Sequence, residues 1–348
     1  MTYFVVQTAF LGDVLLTLPL CAAIKRRHAD ARVVLITTPQ AASFVKGLDV
    51  VDEVVSFDKR GEHRSHNARA ALLLSIQDSN GAVALVPHKS MRTMMLVRAL
   101  HTSRVVTYQD AASRWVATDV VPYPRGLHDA LRHLTLLDPL EGGRPALEDL
   151  LPISLFTNDD MDVVLQLLPA GAGPLVVLAP GSAWATKQWP AVRYRELAEK
   201  LLHFGARVVV LGDASTGLWL KGVPGLTDLS GLTTLRQAAA VIASSQLVVA
   251  NDSAPVHLAS LQQTPVVALF GPTVPEFGFG PIGERTVVVQ RHDLACRPCS
   301  VHGTRTCPLG THACLAEITA DTVMQAVRTL LHAHDENRNA SAKTTTPH

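Results

Sequence analysis

Residues 247 to 273 constrain the fold more than any other stretch: they read as a strand, a polar turn, a short helix and a second strand ending in Gly271-Pro272-Thr273. A strand of a parallel sheet is covered on both faces, so its sequence is a nearly unbroken apolar run. Leu247 to Ala250 and Val266 to Phe270 fit that rule. In open sheets of this kind ligands bind at the carboxyl ends of the strands, where Asn251, Asp252, Ser253 and the Gly271 to Thr273 turn fall. Ser253 is a favoured N-cap and Pro255 suits a first helical turn. His257 follows one turn further in, near free backbone N–H groups that attract anions. The chemistry expected is recognition of a phosphate-bearing ligand.

The same rhythm runs through the chain. Tyr3 to Gln7 predicts a strand, Val14 to about Arg27 an apolar helix, and Arg32 to Thr37, Val83 to Pro87 and Ser103 to Tyr108 further strands. A second series begins at Leu175 to Ala179 and continues through Arg207 to Gly212 to the 247–273 stretch. Between the two, Leu137 to Gly173 mixes Pro, Gly and acidic residues around a helical pattern from about Asn158 to Leu168, which places a boundary there. The domains expected are 1–155 and 156–333, each Rossmann-like, with 334–348 a polar, disordered tail.

Charge excludes one class of partner. Lys and Arg number 31 against 30 Asp and Glu, a net +1, so no field favours nucleic acid. Although 47% of residues are hydrophobic, no uncharged apolar run reaches the roughly 18 residues of a membrane span. The N-terminus enters a strand directly, without the basic and apolar regions of a signal peptide, so a cytoplasmic location is expected.

Phe10-Leu-Gly-Asp-Val-Leu-Leu-Thr-Leu-Pro19, Pro180-Gly-Ser-Ala-Trp-Ala-Thr-Lys-Gln-Trp-Pro190 and the 251–273 segment occur in an order and spacing that resembles glycosyltransferase family 9, the heptosyltransferases of lipopolysaccharide core assembly. The resemblance covers about residues 3 to 330. It implies an α/β fold of the GT-B type, two Rossmann-like domains with parallel sheets facing a central cleft. The activity it implies is an inverting, metal-independent transfer of heptose from ADP-heptose to a lipid A/Kdo inner-core acceptor. No cofactor is implied, and the chain would touch the cytoplasmic face of the inner membrane only peripherally. Ala254 stands where the family has Gly, which changes how closely a ligand approaches the backbone. Two alternatives share the fold: a nucleotide-sugar epimerase, and a nucleotide-sugar-binding module without catalysis.

Asp13 follows the first strand and opens a helix. On residue pattern it caps that helix; the resemblance implies a general base facing the acceptor beside Gly12. Ser182, Thr186 and Lys187 lie in the loop after the first strand of the second series, where hydroxyls, N–H groups and one ammonium suit a diphosphate. The alternative is a solvated lysine. Carried over from the family, the donor-binding set is Ser182, Thr186, Lys187, Asp252, Ser253, Ala254 and His257, with Lys187 aiding leaving-group departure. Trp184 and Trp189 are expected to pack rather than stack on a ligand.

Two basic clusters, Arg60–His63–Arg64 and His88–Lys89–Arg92, suit an anionic acceptor or simply face solvent. The acceptor set expected is Gly12, Asp13, Arg60, His88, Lys89 and Arg92. His128 and Arg132, four apart on one helix face, orient acceptor groups or face water. Cys296-x₂-Cys299-x₇-Cys307-x₆-Cys314 admits a structural zinc, an iron–sulfur cluster, disulfide chemistry or free thiols, while Cys21 belongs to the core. The only close acidic pair of note, Asp159-Asp160, falls in the segment between domains and not at a strand end.

Overall fold

The computed structural model describes residues 1–76, 81–141 and 152–344, in two compact units, Met1–Ser154 and Leu155–His348. Six strands form the first sheet: β1 (Thr2–Gln7), β2 (Arg32–Thr37), β3 (Glu53–Ser56), β4 (Val83–Val86), β5 (Arg104–Tyr108) and β6 (Asp119–Val121). They pair in the order β3-β2-β1-β4-β5-β6, all parallel. Six more form the second: β7 (Leu175–Ala179), β8 (Arg207–Val210), β9 (Thr227–Asp228), β10 (Leu247–Asn251), β11 (Val266–Phe270) and β12 (Thr286–Gln290). Their order is β12-β11-β10-β7-β8-β9, again parallel throughout.

Each sheet therefore reverses its strand order once, at β1/β4 in the first unit and at β7/β10 in the second. These are the switch points where crossover connections diverge and leave a crevice at the strand ends. Phe4 to Val6, Leu175 to Ala179 and Leu247 to Ala250 are all buried, each large aliphatic side chain contributing about 1.5–3 kcal/mol by leaving water. In the second unit the helix Ala191–His203 buries Tyr194, Leu197, Ala198 and Leu201, a spacing that lays one face on the sheet. Helix Ala320–Thr344 adds Val323, Met324 and Val327 to the same core. Among the described residues no helix is long and apolar enough to cross a membrane.

Two expectations of the fold differ from what the chain does. The helix predicted over Val14 to Arg27 is two helices, Leu11–Leu15 and Leu18–Arg27; Pro19 lacks the N–H that a continuous helix needs there. The last helix reaches Thr344, through the stretch expected to be a disordered tail. Asp160 serves its own helix, Asn158–Leu167: its carboxylate accepts from the Thr157 N–H at 3.0 Å and pairs with Arg236 at 3.1 Å.

Candidate active site

In the second unit, three strand ends bring their polar groups together. Asp252 follows β10, and its Oδ2 lies 2.6 Å from the Lys187 ammonium and accepts from the Thr273 hydroxyl at 2.6 Å. Lys187 ends a single turn, Ala185–Lys187, in the loop after β7. Its side chain is 12% exposed and that of Asp252 5%, so the solvated-lysine alternative does not hold. The positive charge is fixed at the β7/β10 switch point and shared with one carboxylate. Beneath it Asn251, fully buried, braces the crevice: its Oδ1 accepts from the Trp189 N–H and the Tyr194 hydroxyl, both at 3.1 Å, and its Nδ2 donates to the Pro180 carbonyl at 2.6 Å. A polar residue that the sequence places facing a ligand is thus a strut.

Two other residues of the expected donor set are engaged within the protein. Ser253 occupies the N-cap position of the helix Ala254–Leu261, but its hydroxyl caps nothing; it donates to the carbonyls of Gly181 and Asn251 at 3.2 and 3.1 Å. Thr186, buried, donates to the Thr304 carbonyl and accepts from the Thr304 N–H, both at 2.8 Å. Ser182 is half-buried, its carbonyl held by Gln188 at 2.9 Å. Ala254 begins the helix and His257 is buried in its second turn. Trp189 packs edge-on against Tyr194 and donates its indole N–H to Ile318, a structural role as expected.

The cysteine segment is built against this crevice. Arg297 donates to the carbonyls of Gly271, Arg291 and Thr273, and the Cys299 N–H donates to the Pro272 carbonyl at 3.0 Å, while a ring nitrogen of His312 lies 2.7 Å from the Thr186 carbonyl. A Cβ on Gly271 would meet Leu315 Cγ at 2.6 Å, so glycine is required for that close approach. All five cysteines are free. The His312 N–H pulls the Cys307 thiol below its ordinary value, whereas burial pushes Cys314 up to about 11. Among the described residues no three of His, Cys, Asp and Glu are grouped to hold a metal ion. Cys21 is fully buried, its thiol raised to about 12 by desolvation.

In the first unit, Asp13 is the third residue of the helix Leu11–Leu15, half-buried beside Gly12, and its carboxylate accepts from the Phe10 N–H at 3.2 Å. It is therefore both a cap and a group at the β1/β4 switch point. Across that point the Thr8 hydroxyl lies 3.0 Å from His88 Nδ1, and Thr93 Oγ1 lies 2.6 Å from the same nitrogen. Burial first, and the charge of Lys59 second, lower His88 to about 4. A neutral imidazole cannot act as the cation expected of it. Lys89 pairs with Asp110 at 2.8 Å and stands 3.0 Å from the Tyr123 ring centroid. His63 is buried, its Nδ1 accepting from the Asp58 N–H at 3.0 Å. Arg132 is buried too, against Asp129 and Tyr123. His128 accepts from the Ala130 N–H at the start of the helix Asp129–Leu134.

What remains of the basic clusters converges. A pocket of about 390 Å³ is lined by Phe57, Lys59, Arg60, Arg64, Arg69, Arg92 and Met95, five cations and no carboxylate. Lys59 joins it to the Asp13 side of the sheet by donating to the Thr8 carbonyl at 2.6 Å. Burial, then Arg60 and Arg92, lower the Lys59 pKa, as expected where cations crowd without a counterion. Sequence reasoning missed Lys59 and Arg69; the signal available was the cation recurrence 59, 60, 64, 69, which the fold places just after β3.

Two parallel six-stranded sheets, each with charged groups at its switch point, make up an α/β architecture of the GT-B type. The chain belongs to glycosyltransferase family 9 (heptosyltransferase), whose pattern matches residues 70–309. It is 26% identical over 362 residues to lipopolysaccharide heptosyltransferase 2 of Salmonella typhimurium, with 95% of this chain and 99% of that protein covered. A glycosyl transferase family 9 structure from Veillonella parvula superposes with a TM-score of 0.81 at 21% identity, covering 95% and 97% of the two chains. The E. coli ADP-heptose lps heptosyltransferase II superposes at 0.74 with 20% identity, covering 96% and 100%.

Proposed function

We propose that this chain transfers heptose from ADP-heptose to the lipid A/Kdo inner core of lipopolysaccharide, with inversion and without a catalytic metal. The observation that carries the reading is the five-cation pocket of the first unit. A nucleotide-sugar epimerase has no acceptor and no use for such a site, whereas an inner-core acceptor presents carboxylates and phosphates that charge-assisted hydrogen bonds from Arg and Lys hold well.

Asp13 takes the proton from the acceptor hydroxyl as that oxygen attacks the anomeric carbon on the face opposite the departing ADP. A carboxylate is a weak base, so proton transfer comes late, when bond formation has made the hydroxyl acidic; help of this kind is worth about 10²- to 10⁴-fold. The bond to the diphosphate breaks as the new glycosidic bond forms, and the negative charge collects on ADP. Lys187 meets that charge, already aimed by Asp252 and Thr273. Preorganisation is the advantage: the ammonium need not be reoriented as charge develops. The N-terminal N–H groups of Ala254–Leu261 add to it. Arg60 and Arg92 hold the acceptor with Lys59, Arg64 and Arg69, while His88, neutral, offers a hydrogen bond in place of a charge. Acceptor lipid in the inner membrane draws the chain to the cytoplasmic face of that membrane as a peripheral protein.

The test is a panel of nucleotide sugars against lipid A carrying or lacking Kdo, with product lipids read by mass. The expected product arises from ADP-heptose and the Kdo-bearing acceptor alone. Equal transfer to the acceptor without Kdo, or preferred transfer of another sugar, overturns the assignment.

A further inference from the structure

The short helix bearing Asp13 stops abruptly, and the carbonyls that its end leaves over are taken by side chains. In a continuous helix the Asp13 carbonyl would receive the Thr17 N–H and the Leu16 carbonyl the Leu20 N–H. Here the Thr17 N–H turns to Val14 at 3.0 Å and the Leu20 N–H to Thr17 at 3.0 Å. The Asp13 carbonyl instead accepts from the Thr17 hydroxyl at 2.8 Å. The Leu16 carbonyl lies 3.1 Å from His133 Nδ1; a carbonyl only accepts, so that nitrogen carries its hydrogen and donates. The same Nδ1 is 3.2 Å from the Thr17 oxygen, which Gln7 Nε2 also approaches at 3.3 Å. The far ring nitrogen of His133 faces Asp129 Oδ2 at 3.3 Å, and Asp129 is in turn held by Arg132. Thr17, Asp129, Arg132 and His133 are all buried.

We propose that Thr17 and His133 are positioning residues for Asp13, holding the break that sets where its carboxylate stands. The assignment rests on Asp13 as the general base. The helix Leu11–Leu15 has only five residues and cannot hold its own geometry by cooperative hydrogen bonding. Its end is fixed from outside, by the helix Asp129–Leu134 of the same unit. The arrangement parallels a carboxylate that orients an imidazole, with the difference that this imidazole aims a backbone. Because reacting groups about 1 Å out of place cost up to 10²-fold, loosening this clamp should slow the chemical step and leave donor binding alone.

The experiment is a cycle with Asp13→Asn. In the wild-type background Thr17→Val removes the hydroxyl at nearly constant size and is expected to lower kcat about 10- to 100-fold, with the KM for ADP-heptose changed less than twofold; Thr17→Ser, which restores the hydroxyl, should recover most of the rate. In the Asp13→Asn background Thr17→Val should cost almost nothing more, because the group it positions is gone. A loss of equal size in both backgrounds, or no loss in the wild type, overturns the proposal. His133→Asn, which keeps a donor on a shorter side chain, and His133→Leu, which keeps none, give the same readout if Thr17→Val does not fold: the loss should be greater for Leu, and equal losses count against a positioning role. If Asp13→Asn alone keeps normal turnover, the general-base reading fails separately and before the cycle is drawn.

Discussion

Replacing Lys187 with Met exposes two roles of one ammonium that respond to different remedies. In the free protein Lys187 is the cation beside the buried Asp252 carboxylate, 2.6 Å away. Removing one partner of a buried pair costs about 3–5 kcal/mol because the other charge stays desolvated. Lys187 keeps a small solvent contact and Thr273 still donates to Asp252, which sets the expected loss near the lower end, about 3 kcal/mol. For a unit of the size of Leu155–His348, each kcal/mol moves the midpoint by about 2–4 °C, so Tm of that unit should fall by about 6–12 °C. A lost charge-assisted contact to the diphosphate, worth about 1.5–3 kcal/mol, should at the same time weaken ADP binding by about 10- to 100-fold. Scanning calorimetry and titration calorimetry measure the two effects on one preparation. The double variant Lys187→Met/Asp252→Asn separates them: with the carboxylate neutralised the stability should return, and the ADP affinity should not. A double variant that binds ADP as tightly as the parent refutes the phosphate role, and a single variant of unchanged Tm refutes the energetic account of the pair.

Asp13→Asn should lower turnover by about 10²-fold or more with ADP-heptose affinity unchanged, as read by steady-state kinetics and calorimetry; a change in affinity alone would make Asp13 a binding residue. Arg92→Gln and Arg60→Gln should each raise the KM for a Kdo-bearing acceptor about tenfold without altering that for the donor, and a donor effect would move the pocket to the other substrate. His88 titrates near 4 in the folded chain against 6.5 when exposed, so between those values the unfolded state binds more protons and stability rises with pH. The contribution is complete above about pH 6.5 and lost as pH falls through 4, at most about 3 kcal/mol. Urea unfolding at pH 7 and pH 4.5 should therefore show a smaller difference for His88→Gln than for the parent, and an identical difference would contradict the shift.

Much of the fold was legible because buried parallel strands announce themselves. β1, β2, β7 and β11 carry no polar residue except at their ends and were found to within a residue or so. β9, only Thr227–Asp228, and β6, only Asp119–Val121, have no such run and exist because a neighbouring strand offers its edge. The break at Thr17 needed Pro19 to be read as an interruption rather than as part of an apolar helix. At the site, residue types pointed to the strand ends but not to their partners. Lys187 and Asp252 are 65 positions apart (252 − 187) and meet only because β7 and β10 are neighbours. His88 looked basic in the sequence and is neutral in the fold, since the cost of burial and the nearby charge of Lys59 decide its charge. Thr186 and Asn251 looked like ligand contacts for the same reason: a polar side chain at a strand end serves either a ligand or the loop that makes the crevice.

The central claim is heptosyl transfer between two substrates, and the most direct measurement follows both products at once. The full chain is incubated with ADP-heptose and Kdo-bearing lipid A in excess EDTA, with ADP and acceptor mass recorded over time. The account predicts that each ADP released is matched by one acceptor molecule heavier by a single heptosyl unit, at an initial rate that added magnesium leaves unchanged. ADP release with free heptose and an unaltered acceptor, an epimerised donor with no ADP, or transfer that stops in EDTA and returns with magnesium would contradict it.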